Sequence, residues 1–265
     1  MARAKLSLVA VALGACAHPR PAAGPPPPGA VVEVVDPGAA PRRALRYRPV
    51  RGLDHPVALT WGGGWRSSGA SCLGAFDTRA QFDDVVLVGA VAGDLPADAA
   101  LALRGGTTTH QDNPFVARHE IELRAVLPAR YALVGDASAV TAAAGGDERF
   151  GQVVRAALPR FPRQAIGVGA RWTVTEARDG GTRRVTWTLR AITGDRVTLA
   201  ATIGEHAAPP AYAAPGDGVG PWSGSTVDVT IDLARFTVEA AVTRRAGSGG
   251  TYEDTAATLV IGARR

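Results

Sequence analysis

In the stretch Thr182 to Ile192 apolar and polar residues take strict turns: Val185, Trp187, Leu189 and Ala191 on one face, Arg184, Thr186, Thr188 and Arg190 on the other. A period of two is the mark of a strand with one side buried and one side wet. The pattern recurs in Arg171–Thr175 with Trp172 and Val174 inside, in Arg196–Ile203 with Val197, Leu199, Ala201 and Ile203, and in Thr226–Asp232 with Val227, Val229 and Ile231. Phe236, Val238, Ala240 and Val242 continue it, as do Leu259 and Ile261. The connections Arg178–Gly181, Thr193–Asp195 and Asp232–Arg235 are short enough to close hairpins. Polar outer faces point to an antiparallel meander rather than a parallel sheet covered on both sides.

The first half is less regular. Leu45 and Tyr47 alternate with Arg46 and Arg48, Asp84–Val91 is an apolar run, and Ile121, Leu123 and Ala125 alternate with Glu120, Glu122 and Arg124, which reads as strands of the same sheet or of a partner sheet. One helix is predicted. Asp147 sits at an N-cap position, Phe150, Val153, Val154, Ala157 and Leu158 follow helical spacing, and Pro159 ends the pattern. The place open to it is the concave apolar face of a curved sheet. The expected fold is therefore mainly β (α+β): a curved antiparallel meander sheet, half-barrel or sandwich-like, with one amphipathic helix packed on its apolar face. With 46% hydrophobic and 20% charged residues, the composition is that of a globular body and not a disordered one.

The N-terminus reads as a secretory leader: basic Arg3 and Lys5, an apolar run from Leu6 to Ala15, then Cys16. A run this short is not a lasting transmembrane helix, which takes about 20 residues. The ending Leu13-Gly14-Ala15-Cys16 resembles the lipobox of bacterial lipoproteins. The resemblance implies cleavage before Cys16, acylation of its thiol, and, with Ala at position 17, delivery to the outer membrane. The alternative is ordinary cleavage after Ala15-Cys16-Ala17, releasing a soluble chain that begins at His18. From residue 16 to 43 the chain is rich in proline, with Pro25–Pro28 consecutive; such a tract favours an extended spacer. The expected organisation is a signal peptide over 1–15, a lipidated cysteine and tether over 16–43, and a single β-rich domain over 44–265. The segment Leu158-Pro159-Arg160-Phe161-Pro162 to Ile166-Gly167-Val168-Gly169-Ala170-Arg171-Trp172, with the opening Leu45–Gly52, is similar to an uncharacterised group of exported bacterial lipoprotein domains; Ala170 stands where the group has Asp. That likeness implies a β-rich envelope domain and no activity.

Charge narrows the partners. The chain has 29 basic and 24 acidic residues, and removing residues 1–15 takes Arg3 and Lys5 and leaves 27 against 24, or +3. The doublets Arg42-Arg43, Arg183-Arg184, Arg244-Arg245 and Arg264-Arg265 are scattered among acids and read as solvated faces or strand flanks, so nucleic acid is not an expected partner. Of the two cysteines, acylation of Cys16 leaves Cys72 alone, a small, partly buried side chain or a reactive thiol.

No G-x-S-x-G, S-x-x-K, H-E-x-x-H, P-loop or paired C-x-x-C occurs, and Lys5 is the only lysine, so Schiff-base and Ser-Lys chemistry are excluded from a chain that has lost its leader. No enzyme activity and no cofactor is expected. The weak metal candidates are His110, Asp112 and His119, in a presumed loop and strand; the plainer reading of Thr107–Asn113 is a turn closed at Pro114. Two presumed loops carry aromatic rings that would stack on a sugar or close over a lipid chain, Trp61-Gly62-Gly63-Gly64-Trp65, and Ala207–Gly224 with Tyr212 and Trp222; the plainer reading tucks such Trp rings back against the sheet edge to cover apolar surface. The expected function is an outer-membrane-anchored accessory binding or structural module, partnered with the membrane through its lipid and open to an envelope protein or a hydrophobic ligand. The alternatives are a lipid or other hydrophobic-ligand carrier, favoured by an open concave face, and a periplasmic hydrolase whose site forms only in three dimensions.

Overall fold

Alternation of the kind seen in Thr182–Ile192 runs through nearly every strand of the computed structural model, which describes residues 30–262 apart from 72–73, 96–97, 114–115, 135, 145–147, 179–180, 208–221 and 249–250. The strands are β1 (Val31–Asp36), β2 (Val50–Ser71), β3 (Gly74–Leu95), β4 (Asp98–Asn113), β5 (Val116–Leu133), β6 (Val140–Ala144), β7 (Arg171–Arg178), β8 (Gly181–Thr193), β9 (Arg196–Ala207), β10 (Trp222–Asp232), β11 (Thr237–Ser248) and β12 (Thr251–Ile261). They form one 12-stranded sheet in the order β1-β7-β8-β9-β10-β11-β12-β2-β3-β4-β5-β6, antiparallel throughout. Two consecutive meanders, β2–β6 and β7–β12, are thus joined where β12 pairs with β2, and β1 is added outside β7. The sheet is not closed; β1 and β6 are its edges.

One face is apolar from edge to edge. Leu59 in β2, Leu87 in β3, Leu101 in β4, Tyr131 in β5, Leu199 in β9 and Val229 in β10 all belong to a single buried cluster, together with Val140 at one edge and Trp172 and Val174 near the other. Strands from both ends can share one core only if the sheet curls round it. The helix α1 (Glu148–Ala156), the single helix among the described residues, packs on this inner side against β5, β6 and β12. Val153, Val154 and Ala156 are buried, as is Ala157 just beyond, and Gln152 Oε1 accepts a hydrogen bond from Arg244 of β11 at 2.8 Å. The expected cap, Asp147, lies outside the described residues.

One end of the curled sheet is plugged by aromatic rings. Tyr47 lies 5.4 Å from Phe161 and 6.4 Å from Phe236, Phe236 lies 5.5 Å from Tyr131, and Phe161 leads through Trp172 to Trp187. Tilted and edge-on contacts at these separations suit the ring quadrupoles. Two of the polar tips are served by the loop after α1: the Tyr47 hydroxyl donates to the Pro159 carbonyl at 3.0 Å and Trp172 Nε1 to the Arg160 carbonyl at 2.8 Å, while the buried Tyr131 hydroxyl has no partner among the described residues. Burial pushes the phenols of Tyr47 and Tyr131 well above their ordinary range, so both stay neutral. Residues 37–49 cross this end, bonded to 166–168, Ala137 and Leu233 through their backbones.

Four expectations need correction. The ordered body starts before residue 44, because Val31–Asp36 pairs with β7, and Arg43 forms a bridge with Ile166. Leu45–Arg48 is outside the ladder: Leu45 and Tyr47 are buried in the plug, and β2 begins at Val50. Thr107–Asn113 is strand, the last part of β4, paired with β5. Trp61–Trp65 is also strand, within β2, where the register against β3 shifts between Trp61 and Gly63. Gly63 has a φ of +133° there, and any side chain would collide with the Asp254 carbonyl and the Thr255 backbone of β12. Its glycine serves a bulge and a close approach between strands, not a loop.

Candidate functional site

Strand parity decides where the sequence candidates stand. Trp61 points into the core with 4% of its surface exposed, so its ring packs against β-sheet neighbours instead of standing ready for a ligand. Trp65 stands in β2 opposite Glu253, and Trp222 opens β10 opposite Gly247. Tyr212, Cys72 and Cys16 lie outside the described residues. In the β4–β5 ladder His110 faces Glu120, and Gln111 faces His119, which gives the two histidine positions opposite parity and hence opposite faces of the sheet. Asp112 shares the parity of His110 and faces Arg79 of β3. The register therefore does not bring both histidines together with the aspartate. Among the described residues no group of three or more His, Cys, Asp or Glu is placed to hold a metal ion, and no helix is long and apolar enough to cross a membrane.

A cleft opens instead where the sheet fails to close. It lies between the start of β6, the end of α1 with the residues after it, and the β7–β8 hairpin, and holds about 180 Å³. The hairpin register explains its wall. Glu176 pairs with Arg183, Val174 with Val185 and Trp172 with Trp187, so Glu176, Val174, Arg183, Val185 and Trp187 all have inward parity. Arg155, in the last turn of α1, and Arg160 complete the charged lining. Arg183 Nη1 lies 3.4 Å from Glu176 Oε2, with 12% and 26% of the two side chains exposed.

Sequence reasoning missed this cluster. The doublet Arg183-Arg184 was expected to be solvated as a pair, yet a strand must turn its two members to opposite faces: Arg184 is exposed and Arg183 is turned in. The signal was present in the alternation that placed Val185 inside. A smaller correction has the same origin. Ala191, expected inside, is exposed, because the register shifts between Leu189 and Ala191 and flips the parity beyond it.

Guanidinium groups backed by strand and helix on an apolar floor can hold a charged group. No protein-family model, no curated protein and no solved structure matches the chain.

Proposed function

We propose that the chain is an envelope lipoprotein, held at the outer membrane through acylated Cys16, whose β-rich body acts as an accessory binding or structural module without catalysis. The anchor reading is drawn from Leu13-Gly14-Ala15-Cys16 and the proline-rich residues behind it. The observation that carries the module reading is the shared core: among the described residues the concave face is occupied by the chain's own side chains and by α1. A carrier of acyl chains needs an empty apolar cup, and ligand pockets commonly hold about 300–1,000 Å³. Among the described residues the one cleft named above, at about 180 Å³, is smaller than that and partly charged.

The test is metabolic labelling with radioactive palmitate in a bacterial host, followed by membrane fractionation of wild type and Cys16→Ser. Label on the wild type, with loss of label and release into the soluble fraction for Cys16→Ser, is expected. A wild-type product that is soluble and begins at His18 overturns the anchor.

A further inference from the structure

We propose that the cleft on the open side of the sheet binds a small diffusible organic anion, a carboxylate or phosphate monoester on a short apolar body. The site stands apart from the anchoring reading, since none of its residues lies within 1–43.

Charge is the first argument. Three arginines, Arg155, Arg160 and Arg183, and one glutamate, Glu176, line the cleft, so its wall is richer in guanidinium than in carboxylate. A guanidinium matches the two oxygens of a carboxylate or phosphate with paired, charge-assisted hydrogen bonds, which makes arginine the fitting residue for such groups. Arg183 has 88% of its side chain covered, the complement of its 12% exposure. Attraction for an anion is stronger at such a half-dry position than at a surface one, because water screens it less.

The floor is the second argument. Val174, Val185, Trp187 and Leu158 line the same cleft and are buried residues of the core. A short aromatic or aliphatic body attached to the anion would cover the narrow apolar strip these side chains leave open. The volume of about 180 Å³ limits that body to a few carbons or one ring. Glu176, beside Arg183, disfavours a second acidic group on the ligand at that wall by like-charge repulsion.

Rigidity is the third. Arg183 and Trp187 are fixed by the β7–β8 and β8–β9 ladders, and Arg155 by α1, so the charged groups are held on regular elements before a ligand arrives. Edge strand β6 contributes the opposite lip through Val140 and Thr141. The cleft therefore exists because the sheet stops short of closing.

The experiment is calorimetric titration of the full chain in a nonionic detergent with phenylacetate, benzoate and phenyl phosphate, each compared with neutral phenylacetamide. At least one anion is expected to bind with a dissociation constant of about 1 mM or below, and about tenfold or more tighter than the amide. Arg160→Gln, which leaves the Arg183–Glu176 pair in place, is expected to weaken the anion about tenfold and leave the amide unchanged. The comparison of acid with amide needs no variant, so a folding defect in Arg160→Gln does not blunt the test. Equal affinity for acid and amide, anion affinity unchanged in each of Arg155→Gln, Arg160→Gln and Arg183→Gln, or no binding of any of the three anions at about 10 mM overturns the site.

Discussion

Asp136 sits in the turn between β5 and β6 and fastens the plugged end of the sheet. Its Oδ1 accepts hydrogen bonds from the Ser138 hydroxyl at 2.6 Å and the Ser138 backbone N–H at 3.1 Å, and its Oδ2 accepts one from Arg163 Nε at 3.0 Å. Ser138 in turn accepts the Phe161 N–H through its carbonyl, so the carboxylate supports the loop that carries the aromatic plug. The Ser138 hydroxyl first, then its N–H and the Arg163 guanidinium, favour the charged form and lower the carboxyl from 3.8 to about 2. A carboxyl depressed by folding stabilises the native state above its unfolded value and loses that contribution as pH falls through the folded one. Wild type is expected to be more stable than Asp136→Asn above about pH 4, with the difference shrinking towards about pH 2 and vanishing below it. Urea unfolding of both proteins across this range checks it. A difference that stays constant with pH would place the effect in hydrogen-bond geometry and not in charge.

At the scale of elements, β1 shows what an edge strand owes to parity. Val31 and Val35 are 64% and 59% exposed, whereas Val32 and Val34 pack against the core. An aspartate at position 34 would bring an unpaired charge onto apolar surface, while one at position 35 would meet water. Val34→Asp is expected to cost about 1–3 kcal/mol and Val35→Asp no more than about 0.5 kcal/mol, measured by urea unfolding. Equal costs would mean that the edge strand does not hold this register. The same strand shows why sequence reading reached only part of the fold. The strands β7–β11 were legible because most inward residues are large and most outward ones polar, so parity is written twice. Val31–Asp36 carries valine on both faces, as an edge strand can, and the period is lost. Trp61–Trp65 and Thr107–Asn113 read as loop and turn in sequence because glycine and small polar residues resemble turns; bulges and close strand contacts ask for the same residues. The alternation in β8 gives Arg183 the parity of Val185, a signal the doublet reading overlooked; its meeting with Arg155 and Arg160 depends on how far the sheet curls, and no local pattern records curvature.

For the molecule as a whole, the open sheet raises the question of whether its two meanders stand alone. β2–β6 and β7–β12 touch through the β12–β2 ladder, and a hinge there would let each half unfold separately. The core argues otherwise. Phe236, in the turn before β11, contacts Tyr131 of β5, and Tyr47 bridges Phe236 and Phe161, so the plug binds residues of both meanders into one ring cluster. Removing part of one ring should then loosen both halves by the same amount, since each would expose the shared core on opening. Trp172→Phe, which also gives up the hydrogen bond to the Arg160 carbonyl, is expected to cost about 1–3 kcal/mol. Native-state hydrogen exchange should report that cost equally at the amides of Leu59 and Leu87 in the first meander and of Leu199 and Val229 in the second. A fall confined to the second would mean that the ladder between β12 and β2 is a boundary between two folding units, and that the cleft can widen by separating them. An equal fall means that the cleft keeps its shape for as long as the protein is folded, as a site built on fixed arginines requires.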